Sequence, residues 1–430
     1  MQKVFDLFYL TCGVCTDSRN VFKDCLYIAL RGVNFNGNSF ATEAIEKGAM
    51  FAIVDEKELA NNTTIFYVEN ALLYLQQLAN HHRNKYKIPV IGITGSNGKT
   101  TTKELVNSVL SQRYTVLCTK GNLNNHIGVP LTLLQLNNSH DLAIIEMGAN
   151  KPFDIQELVN IAEPTHGLIT NIGSAHLEGF GSKEGVIKTK GELYDFIEEI
   201  GGTIFYNLDD ELLAQLVPIE TEHITYGTSP SAQVAGAIIE VRPEVVFDYI
   251  TAHDDIVHGI SSQIIGKYNF YNMLAAVCIG DYFELSPVEI KKGIESYLPD
   301  NNRSQVKQTT KNTLILDAYN ANPTSVQSAI ESFAMMSHDD KFFILGDMLE
   351  LGSETIPAHH AVIAQTKKLD LKGIFVGEIY ADIAKNDESI LAFATKEVAK
   401  EFLAIAQPKG NLILLKGSRG IGLETLVDLF

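Results

Sequence analysis

The sequence has few cysteines and no long hydrophobic segment. Five cysteines in 430 residues are typical of free thiols in a reducing compartment and argue against a disulfide scaffold. No apolar run approaches the roughly 20 residues that span a bilayer, and the first ten residues lack the apolar core of a signal peptide. We therefore expect a cytoplasmic protein that does not insert into membranes.

Positive charge is also scarce. Lysine and arginine together number 34, against 52 aspartates and glutamates, and the formal net charge is -18 without any basic block. Nucleic acids and anionic membranes are therefore poor partners for this chain. An anionic small molecule would need a locally positive pocket.

The order of apolar segments predicts an α/β protein of three domains. Strand-like and helix-like patterns alternate, and 430 residues suggest two to four domains of roughly 100–200 residues. A polar stretch before residue 87 and a turn-rich stretch at 299–303 mark the boundaries. We expect a small α/β domain over residues 1–86, a central mostly parallel sheet with an added antiparallel sheet over 87–298, and a doubly wound, Rossmann-like domain over 299–430.

Residues 88–112 have the pattern of a phosphate-binding loop between a strand and a helix. An apolar run ends at Ile93, the sequence TGSNGKTTT follows, and apolar residues then recur at helical spacing. Backbone N–H groups and the helix N-terminus would hold phosphates, Lys99 would add a positive charge, and the hydroxyl of Thr100 would bind Mg²⁺. The central domain would then be P-loop ATPase-like. The standard pattern has glycine in place of Ile93, so a glycine-rich turn without a ligand is the alternative.

Two further polar residues follow strands of the predicted central sheet. Glu146 ends the apolar run 142–145, and His176 follows the strand-like run 167–170. Ligands of open α/β sheets gather beyond the carboxyl ends of the strands, where Glu146 would hold Mg²⁺ and His176 a metal or a phosphate. A capping or surface carboxylate and a structural histidine are the alternatives.

The stretch 121–130 is unusually rich in asparagine and glycine. Neutral amides such as Asn124 and Asn125 can orient phosphates without adding charge, although a plain loop explains the stretch as well. Lys188 and Lys190 lie on a predicted helix, and by their pattern alone both would be solvated surface lysines.

Polar residues also follow strands of the predicted C-terminal domain. Asp317 could accept ribose hydroxyls, and Tyr319 could pack near a base. Lys416, Ser418 and Arg419 follow another apolar run and provide two cations and a hydroxyl, which suits an anionic carboxylate.

These motifs together resemble those of the Mur ligases, the ATP-dependent amide-bond-forming enzymes of peptidoglycan synthesis. The resemblance covers essentially the whole chain, and the family tolerates the isoleucine at position 93. GNLNNHIGVP and HLEGFGS differ among the sister ligases and indicate the member that adds D-alanyl-D-alanine. The matching motifs are TDSR, TGSNGKTTTKE, GNLNNHIGVP, EMGAN, AHLEGFGS, KGE, DAYNANP, GDMLELG and LKGSRG.

The resemblance implies roles for the matching residues. Lys190 would be carbamoylated and help to bind a second Mg²⁺, with Lys188 as the alternative. The family usually has histidine where this chain has Tyr268. The implied ATP-binding residues are Gly95, Ser96, Asn97, Gly98, Lys99, Thr100, Thr101, Asn269, Asn272, Arg303, Asp317 and Tyr319. The implied catalytic residues are Lys99, His176 and Lys190, and the metal ligands are Thr100, Glu146, His176 and Lys190. The implied contacts to the UDP substrate are Ser18, Arg19, Asn124 and Asn125, and those to the dipeptide are Asn320, Asn322, Lys416, Ser418 and Arg419.

The resemblance also implies a reaction. The γ-phosphoryl group of ATP would pass to the terminal carboxylate of UDP-N-acetylmuramoyl-tripeptide, and the amine of D-alanyl-D-alanine would attack the acyl phosphate. ATP and two Mg²⁺ ions would be required, and we expect a monomer. A sister ligase that adds a single amino acid is one alternative, and a nucleotide-dependent switch protein is another.

Overall fold

The computed structural model describes residues 2–173, 177–242, 244–251, 255–300 and 302–430. None of the described helices is long and apolar enough to cross a membrane. The division into domains over 1–86, 87–298 and 299–430 stays a prediction. Residue contacts divide the chain into a first unit of Met1–Gly92, Thr115–Gly148 and Asp154–Thr165 and a second unit of Ile93–Tyr114, Ala149–Phe153 and His166–Phe430.

The first unit begins with a small α/β region. Its elements are α1 (Gln2–Phe8), β1 (Val14–Cys15), β2 (Leu26–Ile28), β3 (Arg31–Gly32), β4 (Phe35–Asn36), α2 (Ala41–Glu46), β5 (Phe51–Val54), β6 (Ile65–Tyr67) and α3 (Ala71–Arg83). A parallel sheet has the order β1-β2-β5-β6, and β3 and β4 form a separate antiparallel pair. Asn70 caps α3, because its side chain accepts a hydrogen bond from the Leu73 N–H at 2.8 Å.

A larger sheet contains the predicted phosphate loop. Its strands are β7 (Val90–Thr94), β8 (Val116–Cys118), β9 (Leu142–Glu146), β10 (His166–Ile169), β11 (Thr203–Asn207), β12 (Glu222–Gly227), β13 (Val234–Arg242), β14 (Glu244–Ile250) and β15 (Ile256–Ile265). Strand β7 contributes residues to both units. Within the first unit the strand order is β7-β9-β8, and within the second it is β15-β14-β13-β12-β11-β10-β7.

The pairing in this sheet confirms a mostly parallel arrangement with an added antiparallel part. Strands β8 and β9 pair in parallel, as do β10 to β13, whereas β13, β14 and β15 pair antiparallel. Every residue of β7, β9, β10 and β11 is buried. Strands buried on both faces have largely apolar sequences, which is why the sequence pattern indicated β7, β9 and β10.

Helices connect these strands. They are α4 (Lys99–Leu110), α5 (Gly128–Leu133), α6 (Asp154–Ala162), α7 (Leu177–Phe180), α8 (Lys183–Ile200), α9 (Glu211–Leu216), α10 (Phe270–Tyr282) and α11 (Pro287–Ser296). A capping box between Ser286 and Glu289, with Pro287 at the first helical position, begins α11. The asparagine-rich stretch 121–130 differs from a plain loop, because α5 begins within it.

The C-terminal part of the second unit contains a six-stranded sheet. Its elements are β16 (Gln305–Gln308), β17 (Thr313–Asp317), α12 (Pro323–Met335), β18 (Lys341–Gly346), α13 (Thr355–Lys368), β19 (Lys372–Val376), α14 (Glu378–Ala384), β20 (Ala392–Phe393), α15 (Lys396–Ala406) and β21 (Leu412–Lys416). The strand order is β16-β17-β21-β18-β19-β20, parallel except for the antiparallel β16–β17 pair. Two apolar clusters form its core, one containing Phe333 and one containing Leu403.

We predict that His166 makes the protein less stable in acid. Its ring packs on Phe205 and Tyr282, and burial lowers its pKa from 6.5 to about 4. The unfolded chain therefore binds a proton below pH 6.5 that the folded chain accepts only near pH 4, so stability falls as the pH falls through this window. The cost is on the order of 3 kcal/mol by pH 4.

Urea denaturation at a series of pH values measures this effect. The His166→Phe variant should lose less stability than the wild type between pH 7 and pH 4, because phenylalanine does not titrate. In the variant the Tyr282 hydroxyl keeps its contact with the Thr203 hydroxyl at 3.2 Å. Identical pH dependence of the two proteins would contradict the prediction.

Candidate active site

Two glycines shape the loop between β7 and α4. Gly95 has a φ of 145° and Gly98 a φ of 80°, values that side chains disfavour. A Cβ atom on Gly95 would lie 2.0 Å from the Thr170 hydroxyl oxygen, and one on Gly98 would lie 2.6 Å from the Asn272 amide oxygen. Ile93 is instead a fully buried residue of β7. The turn therefore starts after Ile93, and no glycine is needed there.

The residues that follow β10 hold this loop in place. The Ser96 N–H donates to the Asn171 carbonyl at 2.9 Å, and the Asn97 N–H donates to the Asn171 side-chain oxygen at 3.0 Å. The Thr170 hydroxyl donates to the Asn97 carbonyl at 2.6 Å, and the Gly173 N–H donates to the Ser96 hydroxyl at 2.8 Å. Hydrogen bonds within the protein thus hold the shape of the loop.

Lys99, Thr100 and Thr101 begin α4 directly after the loop. The Lys99 ammonium folds back and donates to the carbonyls of Gly95 at 2.7 Å and Ser96 at 3.3 Å. Thr100 and Thr101 are buried, with 3% and 7% of their surface exposed. A cation over the loop at the start of a helix is the arrangement that binds phosphate groups.

A cavity of about 570 Å³ lies beside the phosphate loop. Thr170, Asn171 and Asn272, which contact the loop, line the cavity, and so do Tyr268 and Tyr271. Six residues of the segment 207–215 also line it: Asn207, Asp209, Asp210, Glu211, Leu212 and Gln215. Its volume is in the range of sites for small molecules and cofactors. None of the sequence motifs indicated the segment 207–215. Polar residues follow β11 there, as they follow β9 and β10, and this pattern could have indicated the segment.

The two candidate lysines of α8, Lys188 and Lys190, differ in burial. Lys190 is buried, with 2% of its surface exposed, whereas Lys188 is exposed. Burial lowers the pKa of Lys190 well below its ordinary value, and the nearby charge of Lys99 lowers it further. Lys188 and Lys190 were both expected on the surface from pattern alone, and for Lys190 that expectation is wrong because it lies on the buried face of α8.

Glu146 lies at the end of β9 and is almost fully buried. Its carboxylate accepts a hydrogen bond from the Asn124 amide at 2.7 Å, and its N–H donates to the Thr119 hydroxyl at 3.0 Å. The Asn125 side chain accepts from the N–H groups of Ile127 at 3.1 Å and Gly128 at 2.9 Å, and so closes the turn that leads into α5. Asn124 therefore contacts a predicted metal ligand, and Asn125 shapes the loop.

A second group of polar residues surrounds the ends of β17 and β21. The Lys416 ammonium donates to the Asp317 carboxylate at 2.6 Å, and only 2% of the lysine side chain is exposed. The guanidinium carbon of Arg303 lies 3.7 Å from the centre of the Tyr319 ring, and that of Arg419 lies 5.4 Å away. The structure thus brings together residues from three separate parts of the sequence: Arg303, the pair Asp317 and Tyr319, and the pair Lys416 and Arg419.

Comparison with known proteins identifies the family. The chain is 34% identical to the UDP-N-acetylmuramoyl-tripeptide–D-alanyl-D-alanine ligase of Bacillus subtilis (strain 168) over 432 residues, which cover 96% of this chain and 92% of the relative. The chain belongs to the Mur ligase family. Family models match in three segments: the Mur ligase family catalytic domain over residues 12–83, the Mur ligase middle domain over 93–280, and the Mur ligase glutamate ligase domain over 302–419.

Solved structures of Mur ligases are similar along the whole chain. A crystal structure of MurF from Acinetobacter baumannii has a TM-score of 0.89 and 29% identity, and covers 100% of this chain and 98% of its own. MurF ligase from Thermotoga maritima in complex with ADP has a TM-score of 0.85 and 27% identity, with coverages of 99% and 98%. The predicted α/β fold class is confirmed.

Three predicted dipeptide-side residues of this Mur ligase make hydrogen bonds to other residues of the chain. The Ser418 hydroxyl accepts a hydrogen bond from the Leu349 N–H at 2.9 Å, and the Asn320 side chain accepts from the Ala321 N–H at 2.9 Å. Asn322 caps α12, and its amide donates to the Asn97 side-chain oxygen at 2.7 Å. The segment before α12 therefore contacts the phosphate loop directly.

The remaining predicted residues are placed as follows. Arg19 is exposed and donates to the Asp17 carboxylate at 2.9 and 2.7 Å, which lowers the pKa of Asp17 to about 2. The Ser18 carbonyl accepts from the Lys47 ammonium at 2.9 Å. His176 lies outside the described residues.

Proposed function

We propose that this Mur ligase joins D-alanyl-D-alanine to UDP-N-acetylmuramoyl-tripeptide and forms a C–N bond. ATP is converted to ADP and phosphate, and the product is UDP-N-acetylmuramoyl-pentapeptide. The Bacillus subtilis relative has this activity in its name, and MurF from Thermotoga maritima forms a complex with ADP. The observation that carries the proposal is the rigid phosphate loop with Lys99 folded across it.

The phosphate loop suits the first chemical step. The γ-phosphoryl group passes to the carboxylate of the tripeptide, and two anions must approach each other. The N–H groups at the start of α4 and the Lys99 ammonium stabilise the negative charge that both groups carry. Phosphoryl transfer depends on such positioning and charge neutralisation and needs no protein nucleophile.

The residues present fit the chemistry of magnesium. Thr100 provides a hydroxyl and Glu146 a buried carboxylate, and Mg²⁺ prefers oxygen ligands of these kinds. We assign each of them to Mg²⁺ as a ligand, with His176 and a modified Lys190 as the further ligands of two ions. When bound, Mg²⁺ supplies positive charge that screens the phosphate oxygens.

Lys190 suits carbamoylation better than Lys188. Carbon dioxide reacts with a neutral amine, and the lowered pKa of Lys190 favours that form at neutral pH. The amine nitrogen bonds to the carbon of CO₂ and releases a proton, so the side chain becomes an anionic carbamate. The Lys99 ammonium disfavours a positive charge on Lys190, but it attracts the negative charge of the carbamate.

The cavity and the C-terminal residues suit the ends of the substrates. The cavity beside the loop would hold the adenosine of ATP. Arg419 and the hydroxyl of Ser418 would hold the carboxylate of the dipeptide, and Ser18 and Arg19 would contact the UDP end. We further propose that the protein acts as a cytoplasmic monomer.

ADP release from the purified protein tests the proposed function. With ATP, Mg²⁺ and a panel of UDP-N-acetylmuramoyl-tripeptides that differ in the third residue, ADP should appear only when D-alanyl-D-alanine is present. Single amino acids in place of the dipeptide test for a sister ligase. ADP release with a single amino acid and none with the dipeptide would overturn the proposal, and slow hydrolysis indifferent to the muramoyl substrate would indicate a switch protein.

A further inference from the structure

A chain of buried hydrogen bonds runs from the phosphate-loop helix to the segment after residue 302. The Thr102 hydroxyl of α4 donates to the Asn272 side-chain oxygen at 3.1 Å. The Asn272 amide donates to the Asn269 side-chain oxygen at 2.8 Å, and the Asn269 amide donates to the Ser304 hydroxyl at 3.0 Å. The Ser304 N–H donates to the Asp317 carboxylate at 3.3 Å. Each link joins groups that water does not reach easily, so each is costly to break.

Ser304 is the point where several of these contacts meet. Its hydroxyl is bonded to the Tyr268 hydroxyl at 2.9 Å as well as to Asn269, and only 3% of its surface is exposed. The Asn269 amide also donates to the Ile265 carbonyl at 2.8 Å. Both amide hydrogens of Asn269 and its oxygen are therefore engaged with protein atoms, and its role is to hold other residues.

The backbone on both sides of Arg303 is strained. Asn302 has a φ of 56° and Ser304 a φ of 49°, in the left-handed region that residues other than glycine rarely adopt. Such conformations persist where surrounding contacts determine them. Here the side chain and N–H of Ser304 make such contacts, and between the two strained residues the Arg303 guanidinium carbon lies over the Tyr319 ring, 3.7 Å from its centre.

We propose that Ser304 is a positioning residue for the nucleotide and that it acts through Arg303. Tyr268, whose ring lines the cavity, and Asn269, which is linked to the phosphate-loop helix, hold the Ser304 hydroxyl. Ser304 in turn fixes the direction in which Arg303 leaves the backbone. This inference rests on the proposed ATP-dependent ligase function, and it gives Tyr268 a role that the sequence analysis left open.

The Ser304→Ala variant isolates the hydroxyl, because alanine keeps a Cβ atom in the same backbone conformation. We expect the KM for ATP and the Kd for ADP to rise about five- to tenfold, the effect of one lost buried hydrogen bond, with the KM for D-alanyl-D-alanine unchanged. Tyr268→Phe removes the other partner of the bond and should act in the same direction. Tyr114→Phe is the matched control, because its hydroxyl donates to the Phe283 carbonyl at 2.9 Å outside this network.

A double variant tests whether Ser304 acts through Arg303. In an Arg303→Ala background, Ser304→Ala should produce no further rise in the Kd for ADP. An undiminished rise in that background would overturn the proposal. So would a lowered melting temperature with unchanged nucleotide constants in both Ser304→Ala and Tyr268→Phe, since that is the signature of a structural role alone. Calorimetric ADP binding needs neither peptide substrate, so this test is decided separately from the ligase assay.

Discussion

Replacing Lys99 with alanine is expected to lower ATP-dependent ADP release by about 10³-fold or more. The Lys99 ammonium lies over the phosphate loop at 2.7 Å from the Gly95 carbonyl and brings a positive charge to the place where the phosphates would bind. Without this cation the phosphate oxygens and the tripeptide carboxylate repel each other without compensation. ADP release with saturating substrates and calorimetric ATP binding measure the loss.

Two controls separate the loss of the charge from the loss of the fold. Lys400 is an exposed lysine of α15, and its replacement by alanine should leave ADP release unchanged. Lys99→Ala should also keep a melting temperature close to that of the wild type, because the hydrogen bonds of Lys99 to the Gly95 and Ser96 carbonyls are made within the loop that directly precedes it. A fully active Lys99→Ala variant would refute the assignment of the phosphate loop.

Replacing Lys190 with alanine is expected to lower activity by about 10²-fold or more, because a charged group in the active site is removed. Short carboxylic acids such as formate or acetate should partly restore activity, because they can occupy the space of the missing carbamate and bring a carboxylate. Wild-type activity should also respond to the supply of CO₂. The rate of ADP release with and without added acid is the measurement.

The neighbouring lysine provides the matched control. Lys188 lies two residues away on the same helix but on its exposed side, so Lys188→Ala should keep nearly full activity and show no response to added acids. If Lys188→Ala loses activity that acids restore, and Lys190→Ala does not, the assignment belongs to the other lysine. If Lys190→Ala loses activity and added carboxylic acids do not restore it, the functional group is the amine of Lys190 and not a carbamate.

Local patterns predicted a large part of this molecule. The buried strands β7 and β9 have continuous apolar runs, and the caps at Asn70 and Ser286 act within four residues along the chain. The order strand, glycine loop, helix predicted the phosphate loop for the same reason, since its shape depends on adjacent residues. Polar residues after apolar runs also indicated Glu146 correctly as the end of a strand.

The burial of side chains could not be predicted in the same way. Lys188 and Lys190 look alike in sequence, and only the packing of α8 exposes one and buries the other. The cavity also includes residues 207–215, which no motif marked. Burial depends on which elements pack together, and composition within a short window does not contain that information.

The sequence by itself determined the α/β fold class, the phosphate loop and the resemblance to the Mur ligases, because these depend on contiguous residues. The tertiary structure alone decided that Asn97 contacts Asn322, that Asn269 contacts Ser304, and that Asp317 pairs with Lys416. The partners in these pairs are 225, 35 and 99 residues apart. A hydrogen bond requires two groups within about 3 Å, and only the folded chain brings such distant residues to that separation.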